Sequence, residues 1–312
     1  MNKKTSSTRS TRSTRSTSST RLTRSTSSTS PASSPSSTSS LIVHTPVLLH
    51  ETIAALQVKK DGRYIDATFG MGGHAREILK GGANVLGIDW DEEAVRALPD
   101  PAVKVVVGNY ADIKRIAEEN DFVPVDGIIL DLGLSMWQIR ESGRGFSYEK
   151  DDELLDMRLS NLLSITASDI VNSYSLEELY EIFSKYSEEV NSWPIIRSLD
   201  RFRRMKRIMT VGELKEAIRI VTKSDATLAR VFQALRMKVN HELENIRSAI
   251  INSYEILIPG GRLAVITFHP TEDRLIKRLI REQGYKGVRT RRIRAPQSFE
   301  RSAQLRVITK NI

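Results

Sequence analysis

The sequence predicts an α/β protein: a doubly wound, Rossmann-like parallel sheet with a helical domain inserted after its fourth strand. Three observations carry this prediction. Short β-branched runs alternate with helical periodicity from Arg63 to Leu132, which is the signature of successive βαβ units. The first run leads into a glycine-rich loop, Gly70-Met71-Gly72-Gly73. After Asp131 the pattern breaks, and about 85 residues, 138–225, carry no clear strand, too many for a plain connection in a compact sheet.

Taken in order, residues 1–40 are almost entirely Ser, Thr and Arg. They hold too little apolar surface to offset the entropy of ordering, so this stretch is expected to be a disordered tail. Its acid-free, Arg-rich composition overlaps that of organellar transit peptides, but Leu22 is the only large apolar residue between Lys3 and Leu41, which leaves no amphipathic helix. A short helix is expected to end near Leu56. Strand Arg63 to Phe69, the glycine loop, a helix to Lys80 and strand Asn84 to Asp89 follow. Next come helix Asp91 to Leu98, strand Lys104 to Val107, helix Asp112 to Glu119 and strand Gly127 to Leu132. Residues 138–225 are read as the helical insertion, with helices such as Leu176 to Tyr186 and Val211 to Val221. One long helical stretch, Asp225 to Leu257, returns to the sheet. Pro259-Gly260-Gly261 then reads as a turn before strand Arg262 to His269. A helix at Glu272 to Arg281 and strand-like runs Gly287 to Ile293 and Gln304 to Thr309 complete the pattern. The sheet domain thus comprises residues 41–137 and 226–312.

The 312 residues, 39% of them hydrophobic, can bury a sizeable core. Zero cysteine excludes disulfides, cysteine zinc sites and thiol nucleophiles, and five scattered histidines argue against a metal centre. No apolar run reaches the length of a membrane span, so a cytoplasmic protein is expected, with an organellar one as the alternative should the tail act as an address. The net charge of +9 is concentrated at the ends. Residues 1–40 carry seven cations and no acid, and residues 285–312 carry eight cations against Glu300, leaving the middle of the chain at −5. A further cluster, Arg201, Arg203, Arg204, Lys206 and Arg207, lies in the insertion. Such patches suit a phosphate-bearing partner, although a solvated surface would have the same composition.

The glycine loop and Asp89, at the end of the next strand, fit an adenosine-bearing ligand. Glycines let the backbone approach it, and the acid accepts hydrogen bonds from ribose hydroxyls. Both a dinucleotide, as in an NAD-dependent oxidoreductase, and S-adenosylmethionine satisfy this pattern. Asp66, just before the loop, tilts the choice to S-adenosylmethionine, because a carboxylate there suits an amino group and repels a pyrophosphate.

Further strings carry a resemblance. Pro46-Val47-Leu48-Leu49 after His44, Asp66-x-Thr68-x-Gly70-x-Gly72-Gly73-His74, Asp131-Leu132-Gly133-x-Ser135-x-x-Gln138, Arg144-Gly145-Phe146-Ser147 and Leu155-Asp156-Met157-Arg158 occur in this order. Phe232-Gln233-Ala234-Leu235-Arg236, Val239-Asn240-x-Glu242-Leu243 and Phe268-His269-x-x-Glu272-Asp273-Arg274 follow. From about Leu41 onward the chain resembles the bacterial 16S ribosomal RNA cytosine-N4 methyltransferases, the small subunit methyltransferase H family. The resemblance implies a class I methyltransferase fold with an inserted helical domain, S-adenosylmethionine as cofactor, and the small ribosomal subunit as partner. It implies cofactor contacts at Gly72, Gly73, His74, Asp89, Tyr110, Asp131 and Gln138, beside Asp66. Methylation of a non-RNA substrate or another RNA on the same fold is the alternative.

An exocyclic cytosine amine is a poor nucleophile, so the enzyme must align it and accept its N–H bonds. Asp131 and Ser135, which stand where amino-methylating enzymes often carry an Asp/Asn-Pro-Pro-aromatic tetrad, are the expected acceptors, with His269 as a proton relay or RNA contact. Arg144, Arg158, Arg201, Arg203, Arg204 and the basic C-terminus are the expected RNA contacts. The chain departs from the family's pattern at Met136, at Pro270-Thr271, at Val190-Asn191-Ser192-Trp193-Pro194 and in a shortened C-terminal region, Phe299 to Arg306.

Overall fold

The computed structural model describes residues 46–97, 102–187, 189, 192–284, 290–294 and 303–311. The expected tail, His44, Val190-Asn191, Gly287 to Arg289 and Phe299 to Ser302 lie outside the described residues.

Seven strands form one sheet: β1 (Arg63–Asp66), β2 (Asn84–Asp89), β3 (Lys104–Val107), β4 (Val125–Asp131), β5 (Leu257–Thr267), β6 (Thr290–Arg294) and β7 (Gln304–Thr309), in the order β3-β2-β1-β4-β5-β7-β6. β1 to β5 pair in parallel, and β7 runs antiparallel between β5 and β6. This is the Rossmann-like sheet that the alternation of elements predicts. Successive residues serve opposite faces of the sheet. Ile65, Leu86, Ile128 and Val265 join a cluster with Ile113 of α4 (Ile113–Glu119), Ile250 of α11 (Glu242–Ile256) and Ile276 of α12 (Pro270–Glu282). Their neighbours Tyr64, Val85, Ile129 and Ala264 pack on the other face with Leu56 of α1 (Leu49–Leu56) and Ile78 of α2 (Gly73–Lys80).

Strand order reverses between β1 and β4, and at such a switch point the crevice beyond the carboxyl ends of the strands is the ligand site of an open α/β sheet. Asp66, Asp89 and Asp131 are the last residues of β1, β2 and β4. The strand expected from Arg63 to Phe69 stops at Asp66, because the backbone turns there into the glycine loop.

The insertion folds as α6 (Ala167–Ser173), α7 (Leu176–Ser187), α8 (Ser192–Met205) and α9 (Val211–Arg219), with its own apolar cluster around Ile170, Phe183, Leu199 and Leu214. α6 and α9 open with reciprocal capping boxes, Thr166 with Asp169 and Thr210 with Glu213. α10 (Asp225–Val239) turns Leu228, Val231 and Leu235 into the same cluster.

Two expectations are corrected. The helical stretch from Asp225 to Leu257 is two helices, α10 and α11, broken at Asn240 and His241, the latter in the left-handed region at φ 50°. Asn240 is fully buried: its Oδ1 accepts from Leu159 N–H at 2.8 Å, and its Nδ2 donates to the Met157 carbonyl at 2.7 Å. The second correction concerns β5. It begins at Leu257, opposite Val125, and resumes register at Arg262 opposite Gly127, so Pro259-Gly260-Gly261 is an excursion within the strand. Its far end is Thr267, and His269 belongs to the start of α12.

Candidate active site

A cavity of about 560 Å³ opens above the carboxyl ends of β1, β2 and β4, within the range of small-molecule sites. Gly73, His74, Asp89, Tyr110, Asp131, Ser135 and Gln138 line it, whereas Asp66, buried at the end of β1 just before Ala67 and Thr68 of the lining, and Gly72 are not part of the lining.

Gly72 of the glycine loop and Gly73 at the first position of α2 are packed closely against the protein itself. Gly72 caps α2 in the left-handed conformation at φ 70°. Gly73 leaves no room for a side chain, since a Cβ there would lie 2.1 Å from Cγ of Pro46. The two Asp89 carboxylate oxygens shape the loop from the next strand: Oδ2 accepts from Gly70 N–H at 2.7 Å and Oδ1 from Asp91 N–H at 2.9 Å. Each oxygen keeps acceptor capacity for a ligand hydroxyl.

Asp66 is 1% exposed, and its Oδ1 has no hydrogen-bond partner. Burial pushes this carboxyl up to about 7, with backbone N–H bonds at Thr68 and Ala75 opposing the rise and Asp89 adding to it. Asp131 has a buried, unpartnered Oδ1 as well, and its backbone N–H donates to Thr68 Oγ1 at 2.7 Å. Burial, then the nearby Asp66 and Glu272, push the Asp131 carboxyl up to about 8. Nδ1 of His74 lies 4.0 Å from Asp131 Oδ2. Burial holds the His74 imidazole neutral, pushing it down to about 4 against a weaker contact with the Val47 backbone. At the ends of β1 and β4, two buried carboxyl groups therefore each have an oxygen that lacks a donor and are disfavoured from ionising.

Tyr110 begins the short 3-10 turn after β3 and lines the same cavity. Burial, then Glu242 and Glu272, raise its phenol well above the usual range. Ser135 caps α5 (Met136–Arg140): its Oγ accepts from Gln138 N–H at 3.2 Å, while Gln138 Oε1 accepts from Ser135 N–H at 2.9 Å. His269 caps α12 in the same reciprocal way, with Nδ1 accepting from Thr271 N–H at 3.2 Å and Glu272 accepting from the His269 N–H. Pro270 occupies the first helical position, where its missing N–H costs nothing. The departure at Pro270 is thus accommodated locally. His269 is absent from the cavity lining, whereas its neighbour Phe268 is part of it.

The cationic candidates divide by their surroundings. Arg144 points inward: its Nη2 lies 2.5 Å from Asp91 Oδ2, its Nη1 donates to the Arg158 and Leu159 carbonyls, and its guanidinium faces the Trp137 and Phe146 rings. Arg158 forms a two-point pair with Asp156 and donates to the Leu163 carbonyl at 2.7 Å. Arg203 pairs with Asp200 and donates to the Val171 and Tyr174 carbonyls. These three guanidinium groups are engaged within the protein, while Arg201 and Arg204 are exposed.

Asp91 is the residue that sequence reasoning missed. It is 1% exposed, and its carboxylate takes Arg144, Gln138 Nε2 at 3.2 Å and Glu93 N–H at 3.2 Å. Its spacing two residues after Asp89 was the available signal. Among the described residues no group of three His, Asp or Glu is placed to hold a metal, and no helix is long and apolar enough to cross a membrane.

Residues 41–312 match the model of the MraW methylase family. The chain is 40% identical over 254 residues to ribosomal RNA small subunit methyltransferase H of Bacteroides fragilis strain YCH46, covering 79% of this chain and 83% of that protein. It is 43% identical over 253 residues to the protein of the same name from Thermomicrobium roseum, covering 77% of each. Among solved structures, a putative rRNA methylase from Clostridium thermocellum aligns with a TM-score of 0.41 at 12% identity, covering 85% of this chain and 97% of that one.

Proposed function

The chain belongs to the MraW methylase family, and on that premise we propose that it transfers a methyl group from S-adenosylmethionine to N4 of a cytidine in the decoding region of 16S ribosomal RNA, as a cytoplasmic enzyme acting on the small ribosomal subunit. The observation that carries the site assignment is the pair of buried, unpartnered oxygens, Asp66 Oδ1 and Asp131 Oδ1. Such oxygens call for donors or positive charge, which the ammonium and sulfonium of this cofactor bring and a dinucleotide pyrophosphate lacks.

Asp66, Gly72, Gly73, His74, Asp89, Tyr110, Asp131 and Gln138 would hold the cofactor. When bound, it supplies an electrophilic methyl group. Asp89 accepts from the ribose hydroxyls while keeping the loop amides, and Tyr110 offers a ring face to the adenine. Asp131 sits where strand order reverses, and its free oxygen accepts an N–H of the target amine, returning electron density to nitrogen. Ser135 retains a hydroxyl proton to donate while its oxygen caps α5, so its part is to orient the base. His269 carries its free proton on Nε2 when neutral, because Nδ1 accepts from Thr271. We place it at the RNA side, as a contact. The helical unit, residues 138–225 with α10 packed upon it, is the substrate domain. The target base leaves its stack to reach the crevice, at a cost of a few kcal/mol where the RNA is closed.

The test is transfer of labelled methyl groups to purified small subunits lacking the modification, with the product nucleoside identified. N4-methylcytidine at one position is expected. Labelling of naked RNA elsewhere, or of protein, would replace this reading with the alternative substrate.

A further inference from the structure

A second cavity, of about 520 Å³, is lined by residues of α7, α11 and α12. Lys185, Arg247, Arg274, Lys277, Arg278 and Arg281 line it, over a floor that includes Leu243 and Leu275. On α12 the cations fall at Arg274, Lys277, Arg278 and Arg281, a spacing that puts them along one face. Of the acids of that helix, Glu272 is buried in the first turn and accepts from the Phe268 and His269 amides, Asp273 takes both Arg306 and Lys277, and Glu282 stands at the other end.

Glu244 faces Lys185, Glu282 is shared by Arg247 and Arg278, and Asp273 touches Lys277. These three carboxylates thus take four of the cations, and the six cations are drawn from three helices. A basic last turn complements the helix dipole at Arg281 alone. The convergence occurs, moreover, in the part of the chain whose overall balance is negative. Arg144, Arg158 and Arg203, expected from the sequence to meet RNA, are engaged with protein groups instead, which leaves phosphate contacts to exposed cations such as Arg201, Arg204 and those of this groove. Continuity with the crevice supplies the direction: Phe268 lines the methyl-donor cavity and Thr271, three residues on, lines the groove.

We propose that this groove binds the sugar-phosphate backbone of the ribosomal RNA substrate and leads the strand towards the crevice. The inference rests on the function proposed above. It is tested with the full chain and purified small subunits, using Arg247→Gln, Arg278→Gln and Arg281→Gln together, three exposed positions outside the crevice. The triple variant should bind subunits at least about tenfold more weakly. Its slope of log affinity against log salt should be shallower by about two, since each lost phosphate contact removes roughly 0.7. Cofactor affinity and melting temperature should match the parent, and an Arg→Lys triple at the same positions should recover most of the binding. Parent-like affinity and salt slope in the Gln triple would overturn the groove assignment while leaving the proposed function standing. Failure of the parent chain to bind or methylate small subunits would overturn the function and the groove with it.

Discussion

At the residue scale the chemistry rests on Asp66 and Asp131, two carboxyls whose ionisation burial resists. Folded values raised to about 7 and 8, against 3.8 for an ordinary Asp, mean that the folded protein binds more protons than the unfolded chain across this interval. Stability of the unliganded protein is therefore greatest at the acid side of the interval and falls as pH rises through 7 and 8. Unfolding in denaturant should show lower stability at pH 9 than at pH 6. A cationic ligand reverses the preference, so cofactor affinity should rise over the same span, and binding near neutrality should release protons. Calorimetry in buffers of different ionisation enthalpy measures that release, and a buffer-independent heat would refute the assignment. Asp131→Ala should lower turnover by at least about a hundredfold, in keeping with the loss of a general acid–base group, while the protein keeps its fold. Near-normal methyl transfer by a folded Asp131→Ala protein would remove Asp131 from the mechanism. Asp89 was legible as a strand end, because a β-branched run that stops at an acid marks one without tertiary information, whereas the apolar pattern carried the first and fourth strands past Asp66 and Asp131 to Phe69 and Leu132. Asp91 was not legible. Its role comes from Arg144, 53 residues away, and nothing in local spacing announces that partner.

At the scale of elements, the alternation of strands and helices was readable because both faces of a parallel sheet are buried, which makes each strand a short apolar run. The break between α10 and α11 was unreadable for the opposite reason. Neither Gly nor Pro interrupts Asp225 to Leu257; the chain is turned by the Asn240 amide, which trades helix continuation for bonds to Met157 and Leu159. Asn240→Ala would leave a buried N–H and a buried carbonyl without these partners, costing about 1 to 3 kcal/mol for each group left unsatisfied. Chemical denaturation should register that loss, and an unchanged midpoint would mean that the segment 157–159 relaxes to water. The same element logic explains Ser135 and His269. A Ser or His three residues before Gln or Glu reads equally as a capping pair or as site chemistry, and both positions hold reciprocal caps.

At the scale of the whole molecule, the helical cluster and the sheet meet beside the crevice through a polar bracket of Asp91, Gln138 and Arg144. Asp91 follows β2, Gln138 lies on the helix after β4, and Arg144 opens the insertion, so one buried carboxylate ties three chain segments around the cavity. Removing one partner of a buried pair leaves an uncompensated charge, a loss of about 3 to 5 kcal/mol. Arg144→Ala should therefore lower the unfolding free energy by that order. It should also weaken cofactor binding, because Asp91 N–H is one of the donors that orient Asp89. Arg144→Ala combined with Asp91→Ala removes both charges and should cost less than the sum of the single changes. A coupling of about 0.5 to 3 kcal/mol is expected for residues in contact. If the two losses instead add within about 0.5 kcal/mol and cofactor affinity is untouched by either, the bracket does not couple the insertion to the crevice, and the substrate domain docks through its apolar contacts alone.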